Sequence, residues 1–366
     1  MKIMVTGGAG FIGSHVVDAC LGAGHDVSVV DDLSTGKRQH VDTRARLYVA
    51  DICDQEALER VFALEQPEAI CHLAAKADVR ESVDHPVLYA QVNIIGSLVL
   101  LELARKYGCR KMVYASTGGA VYGEPEYLPV DEEHPANPLD PYGASKHHVE
   151  HYLDIYRALY GLDFTVLRSA NTYGPRQDPY GEAGVVAIFA AQMLTGAVPV
   201  INGSGEQERD FVYVADIARA NVLALTRGSG ETINLGSGVG TSINSIFCQL
   251  KEITGCDCEQ VHGPAKPGEV FRTYLDASKA KAALGWRAEV SLREGLERTV
   301  AHFRREMQIL GAFAPVERRF PQPGPENSRA TEDSHRCERG GGDSPRLTSG
   351  PNDGTMTGAK DGERED

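Results

Sequence analysis

Tyr142 and Lys146 are the residues of this sequence best placed to do chemistry. They stand at i and i+4 in Tyr142-Gly143-Ala144-Ser145-Lys146, so on a helix both side chains leave one face. An ammonium beside a phenol lowers the phenol's pKa from its ordinary ~10 towards neutral pH. Such a phenol can take the proton of a substrate hydroxyl while the same carbon gives up a hydride. Tyr-x-x-x-Lys also occurs by chance in helices, so this reading needs a hydride acceptor signalled elsewhere in the chain. Thr6-Gly7-Gly8-Ala9-Gly10-Phe11-Ile12-Gly13 is that signal. Its glycines 7, 10 and 13 follow the apolar run Lys2-Ile3-Met4-Val5 and precede Ser14-His15-Val16-Val17, which looks helical to Leu21. A strand, a glycine turn and a helix start seat a dinucleotide diphosphate: backbone N–H groups approach the anion and the helix adds its positive end. Side chains at Gly7 or Gly10 would hold the anion off, and Gly13 lets the helix pack on the strand.

Asp31 narrows the dinucleotide. It ends the strand-like run Val27-Ser28-Val29-Val30, where a carboxylate hydrogen-bonds the adenosine ribose and repels a 2′-phosphate, which favours NAD over NADP. Lys37 and Arg38, close behind, pull the other way.

These groups need a scaffold, and the apolar periodicity supplies one. Leu47–Ile52 reads as a third strand, with Asp51 near its end to accept from the adenine amino group. Ala69–Ala75 reads as a fourth strand, Lys111–Ser116 as a fifth and Phe164–Arg168 as a sixth, with helices at 56–64, 87–107 and 142–159. The helix at 87–107 carries Val92, Ile95, Leu98, Val99 and Leu103 on an apolar face long enough to be buried on both sides. The alternation predicts an α/β fold with a Rossmann-type doubly wound parallel sheet over residues 1–172. From Tyr173 to about residue 310 short strands and helices mix, as in a smaller mixed α/β lobe that holds substrate. Arg209 closes the loop 203–210 and reads either as a clamp on a substrate diphosphate or as the partner of Asp210 or Asp216. Lys266 and Glu269 add a second cation and a carboxylate suited to ribose hydroxyls. Residues 311–366 contain almost no large apolar side chain and read as a disordered tail.

Composition excludes several classes of partner. A net charge of −14 argues against nucleic acid and anionic membrane. No run of about 18 apolar residues is apparent to span a bilayer, and the N-terminus reads as a strand rather than a secretory signal. The 8 cysteines are scattered, as reduced thiols of a cytoplasmic protein are. No metal is expected: Cys256 and Cys258 lack the second pair of a zinc site, and His147 and His151 lack a third ligand.

The motifs Thr6 to His15, Asp31 to Gly36, His72-Leu73-Ala74-Ala75, Ser116 to Gly123 and Pro141 to Lys146, taken in order, resemble those of the extended short-chain dehydrogenase/reductases. Within these they are most similar to the NAD-dependent nucleotide-sugar 4-epimerases. The resemblance runs to about residue 305, through Asp276-Ala277-Ser278-Lys279 and Leu284-Gly285-Trp286. It implies interconversion of UDP-galactose and UDP-glucose by loss of hydride from C4 to resident NAD, turning of the 4-ketose, and hydride return to the other face. In that scheme Tyr142 is the base, Lys146 tunes it and holds the nicotinamide ribose, and Thr117 hydrogen-bonds the 4-oxygen, with Ser116 as the alternative. Phe11, Ile12, Asp31, Asp32, Leu33, Ser34, Thr35, Gly36, Asp51, Ile52, Leu73, Ala74, Ala75, Lys76, Ala77 and Asn93 would line NAD. Asn171, Val200, Asn202, Arg209, Lys266 and Glu269 would hold UDP, and a homodimer through a four-helix interface is implied.

Three departures bear on specificity. Lys266 stands where the family usually has Arg, losing bidentate geometry to phosphate. Lys76-Ala77-Asp78 is more charged than the family's stretch. Thr273 aligns with the residue that limits the sugar pocket, and its small size predicts turnover of UDP-GlcNAc and UDP-GalNAc. Sibling dehydratases place an Asp-Glu pair directly after the hydroxyl residue and sibling decarboxylases use a Glu nearby; Thr117-Gly118-Gly119-Ala120 has no acid, which favours simple oxidation and re-reduction. A UDP-glucuronate 4-epimerase or a related nucleotide-sugar oxidoreductase is the nearest alternative. A non-catalytic NAD-sensing regulator is the distant one, disfavoured because Tyr142 and Lys146 are both present.

Overall fold

The computed structural model describes residues 1–180, 184–265 and 270–309. Through the first half run β1 (Lys2–Thr6), α1 (Phe11–Gly22), β2 (Asp26–Asp31), β3 (Arg46–Val49), α2 (Gln55–Glu65), β4 (Ala69–His72), α3 (Val79–Asp84), α4 (Pro86–Tyr89), α5 (Gly96–Lys106), β5 (Lys111–Thr117), α6 (Pro141–Tyr160) and β6 (Asp163–Ser169). There follow β7 (Asn171–Tyr173), α7 (Val185–Leu194), β8 (Val200–Asn202), β9 (Glu208–Tyr213), α8 (Val214–Ala224) and β10 (Glu231–Leu235). The last described elements are β11 (Gly240–Ser242), α9 (Ile243–Thr254), β12 (Val261–Gly263), β13 (Arg272–Thr273), α10 (Ser278–Leu284) and α11 (Leu292–Ile309). All of them belong to one compact unit.

A parallel sheet of 7 strands in the order β10-β6-β5-β4-β1-β2-β3 forms the centre. Its strands are continuous apolar runs because helices cover both faces. One face carries Val5, Val29 and Leu235 under α1, α8 and Trp286; the other carries Met4, Ile70 and Tyr114 under α2, α5 and α6. A smaller layer pairs β11, β9, β13 and β7, with β8 and β12 joined beside it, over a separate core of Tyr173, Phe189, Phe211 and Phe247. The Rossmann-type sheet and the mixed lobe are as the sequence indicates.

Four details differ from that reading. α1 starts at Phe11, so the glycine turn meets the helix three residues earlier than the apolar pattern suggests. β3 ends at Val49, and Asp51 lies beyond it with its carboxylate accepting from Cys53 N–H at 2.8 Å. β10 and α8 return to the large sheet and to α1 from within the stretch otherwise given to the lobe. Finally, Pro86–Lys106 is one helix of 21 residues in which a stretch of 18 has mean hydropathy 1.7, long and apolar enough to cross a bilayer. In the sequence Asn93 and Ser97 break up that run; in the fold both are buried, their polar atoms spent on internal hydrogen bonds. Its middle, Ala90–Ile95, is a π-helical turn.

Candidate active site

The glycine turn follows β1 directly. Gly7 has φ +69, and a Cβ there would lie 2.7 Å from Ala74 N. Its constraint is thus the protein's own backbone as much as any ligand. At Gly13 a Cβ would meet Gly7 O at 2.0 Å, which accounts for the tight seat of α1. Gly8, outside the three-residue spacing, faces Val29 at 2.7 Å and serves packing. At Gly10 a Cβ would meet only Gly7 O, at 3.2 Å, so this glycine stays open to a ligand. Gly10 is also the N-cap of α1 and offers no side chain to cap it, so the N–H groups of the first turn, at Phe11 and Ile12, point to where an anion would sit.

Asp31 is 6% exposed, and its two oxygens accept from Ala9 N–H and Leu33 N–H, each at 2.9 Å. Burial pushes its carboxyl above the usual range against those two donors. Each oxygen keeps a second lone pair for a ribose hydroxyl. Gly36 is required beside it, since a Cβ there would meet Asp31 Oδ1 at 2.6 Å. Asp32 is exposed and closes its own turn onto Ser34 at 2.9 Å. An open glycine turn, an uncapped helix start and a buried carboxylate at the end of β2 fit a dinucleotide with free ribose hydroxyls.

Beyond β4, Leu73 to Ala77 run half-buried as backbone rather than strand. Asn93 pins this loop: its Oδ1 accepts from Lys76 N–H at 2.8 Å and its Nδ2 donates to Lys76 O at 2.9 Å and Ser145 Oγ at 2.8 Å. Its side chain is therefore spent on protein groups.

Tyr142 and Lys146 open α6, where Asp140 caps Gly143 N–H at 2.7 Å and Pro141 occupies the first turn. Lys146 Nζ donates to Ala115 O at 2.8 Å and lies 4.8 Å from the Tyr114 ring. This fixes the ammonium against β5, under the turn that carries Tyr142. At the end of β5 the two candidate hydroxyls part company. Ser116 Oγ donates to Glu150 Oε1 at 2.6 Å in the interior, while half-buried Thr117 accepts from Gly119 N–H at 3.2 Å.

One turn beyond Lys146 on α6 stands Glu150, whose Oε2 is hydrogen-bonded to His147 Nδ1 at 2.9 Å. Burial alone would raise its carboxyl; hydrogen bonds from His147 and Arg168 bring it down to about 2. Arg168 grips it bidentately at 3.0 and 2.6 Å and also donates to Tyr122 Oη at 2.9 Å. The signal was present, because Glu150 continues the i, i+4 series from Tyr142 and Lys146. Among the described residues no group of three metal-ligating side chains gathers.

On the substrate side β9 is the organiser. Its register places Arg209 opposite Thr273 of β13 and Thr241 of β11, and Asn171 of β7 opposite Phe211. Arg209 Nη1 donates to the carbonyls of Glu208 at 2.9 Å and Phe271 at 3.3 Å. Asp210 holds Ser237 and Asp216 holds Arg219, each in the protein interior. Asn171 and Val200 are exposed, Asn202 is half-buried and Thr273 is buried. Lys266 and Glu269 lie outside the described residues.

A parallel sheet with this turn at β1, this carboxylate at β2 and a Tyr–Lys helix over β5 defines a Rossmann-fold enzyme of the short-chain dehydrogenase/reductase class. Residues 3–236 match the model of the NAD-dependent epimerase/dehydratase family, and the chain belongs to that family. It is 47% identical over 298 residues to a putative UDP-glucose 4-epimerase of Methanocaldococcus jannaschii, covering 81% of this chain and 97% of the relative. To the UDP-glucose 4-epimerase of Mycolicibacterium smegmatis it is 43% identical over 314 residues, covering 84% and 100%. Among solved structures, UDP-glucose 4-epimerase of Thermotoga maritima with UDP-glucose superposes with TM-score 0.83 at 52% identity, covering 84% of this chain and 100% of that one. The Thermus thermophilus UDP-glucose 4-epimerase complex with NAD gives 0.80 at 45% identity, covering 83% and 99%.

Proposed function

We propose that the protein interconverts UDP-galactose and UDP-glucose at C4, with NAD resident in the glycine turn. NAD, when bound, supplies an acceptor and donor of hydride. Phe11 and Ile12 N–H groups would hold its diphosphate and Asp31 its adenosine ribose, with the backbone of Leu73 to Ala77 closing over the other half. Tyr142 takes the proton of the sugar 4-hydroxyl and later returns it. Lys146, one turn along α6 from Tyr142 and held on Ala115 O, would supply the positive charge that favours the ionised phenol. The observation that carries the assignment is the split between the two hydroxyls of β5. Ser116 is committed to Glu150, which leaves Thr117 to hydrogen-bond the 4-oxygen.

Arg209 would clamp the UDP diphosphate, with Asn171, Val200 and Asn202 around the nucleotide and Lys266 and Glu269 completing the lobe. Thr273, small and opposite Arg209 in register, would admit an N-acetyl group at C2. Exposed Val87, Ile95, Ile155 and Leu159 on the helix 86–106 and on α6 suit pairing of two copies as a four-helix homodimer in the cytoplasm.

The test is incubation of purified protein with UDP-galactose, without added NAD. UDP-glucose forming until equilibrium is expected; no product would overturn the proposal. Tyr142→Phe should lower kcat by about 10²–10⁴-fold while NAD stays bound, and normal turnover would remove Tyr142 as the base. Parallel incubations with UDP-GalNAc and UDP-galacturonate decide the sugar: turnover of the first supports the Thr273 reading, and turnover of the second alone would move the assignment to the glucuronate epimers.

A further inference from the structure

Buried His72 takes no part in the chemistry above, yet it stands in the middle of an unbroken hydrogen-bond chain. One end is Ser145, whose Oγ–H donates to the carbonyl of Tyr142 at 2.7 Å. Ser145 Oγ accepts from Asn93 Nδ2 at 2.8 Å. Asn93 in turn offers its own backbone carbonyl to Ser97 Oγ–H at 2.5 Å. Asn93 sits in the π-helical turn, a feature that recurs at functional sites.

The direction of the remaining links follows from what each atom can do. A carbonyl only accepts, so the Ser97 proton goes to Asn93 O, and Ser97 Oγ must accept from His72 Nε2–H at 2.8 Å. Burial, with the charge of Lys146 adding to it, lowers the His72 pKa to about 3, so the ring is neutral and carries one proton. That proton is on Nε2. Nδ1 therefore accepts from Thr6 Oγ1–H at 2.7 Å, while Thr6 Oγ1 accepts from Ala74 N–H at 3.2 Å. Thr6 is the last residue before Gly7. The chain thus runs from the start of the glycine turn, through the end of β4 and the helix 86–106, to the first turn of α6.

We propose that His72 is a positioning residue, its imidazole joining the glycine turn to the backbone of Tyr142 and so fixing where the phenol stands relative to the dinucleotide. The proposal rests on Tyr142 being the base. An imidazole suits the place because its two nitrogens bridge Thr6 and Ser97, one accepting and one donating, in a single rigid ring. The alternative is that His72 is simply a satisfied polar group in the core, with each hydrogen bond contributing to stability alone.

The experiment cuts the chain at its smallest links. Ser97→Ala and Ser145→Ala are purified as holoproteins, with bound NAD and thermal midpoint measured before activity. Each should lower kcat about tenfold with KM within about twofold and NAD content unchanged, as expected of a displaced base. The double variant should lose no more than the worse single variant, because a chain cut once is already cut; independent structural roles would multiply. Hydrogen exchange in the first turn of α6 should rise about tenfold in both single variants, a readout that needs no turnover. His72→Gln, which keeps a donor towards Ser97, should retain a higher kcat than His72→Leu at equal NAD content. Wild-type kcat in NAD-loaded Ser97→Ala, or multiplying losses in the double variant, would overturn the proposal. Normal turnover of Tyr142→Phe would instead overturn the base assignment, so the two failures are distinguishable.

Discussion

Around the glycine turn, Gly7, Ala9, Asp31 and Ala74 are held together at one end of a continuous sheet, each within a few residues of a strand end. Across the site, Asn171, Arg209 and Thr273 meet only because strands of two to six residues from three distant segments pair on β9. The first arrangement is enforced by close backbone approaches and buried hydrogen bonds, so its shape exists before any ligand arrives. The second is set by long-range register and leaves Asn171 and Arg209 open to solvent in whole or in part. The cofactor half should therefore answer to mutation through stability, and the substrate half through affinity.

The largest test of that contrast is Glu150→Leu. It leaves the Arg168 guanidinium buried without its carboxylate, and about 3–5 kcal/mol should be lost in urea unfolding. Gly13→Ala comes next, since the new methyl group meets Gly7 O. A loss of about 3 kcal/mol, the upper end for overpacking, should come with loss of retained NAD. A full complement of NAD in that variant would mean the turn is more pliable than its geometry implies.

The pH dependence tests the same half. Burial holds His72 at about 3 and His15 at about 4, below their ordinary 6.5. The unfolded chain takes up these two protons below pH 6.5 and the folded protein refuses them. Stability should then fall as pH drops from about 6.5 towards 4, by roughly 1.4 kcal/mol per pH unit for each ring. Chemical denaturation at stepped pH measures this, and the slope should be shallower in His72→Leu.

On the substrate side, Arg209→Ala should raise KM for a UDP-sugar about tenfold, the worth of one charge-assisted hydrogen bond, with the thermal midpoint nearly unchanged. A collapse in stability instead would show that Arg209 belongs to the lobe's framework. Smallest of all, Val200→Thr at its exposed position should shift stability by under about 0.5 kcal/mol.

The same contrast explains what was legible in the sequence. The cofactor seat could be read because its requirements are local: glycines where the backbone crowds, an acid at a strand end, Tyr and Lys on one helical face. Six strands of the large sheet follow from their apolar runs. The seventh, β10, could not be placed, because Glu231-Thr232-Ile233-Asn234-Leu235 looks like any short strand and nothing local says which sheet it joins. The pairing of Arg209 with Thr273 is likewise a matter of register between distant segments. The buried couple Glu150–Arg168 was visible residue by residue, but its meeting depends on α6 lying across β6. The π-helical turn leaves no mark in composition, and the apolar run 86–106 was hidden by polar residues that the fold turns inward.

That helix has a consequence for how the chain is made. Its last residue, Lys106, is synthesised 54 residues before Tyr160 ends α6, which packs beside it. At roughly 5–20 residues per second, the growing chain carries a span-length apolar helix for about 3–11 s before that cover exists. Any factor that sorts emerging polypeptides by hydropathy meets this segment before α6 has covered it.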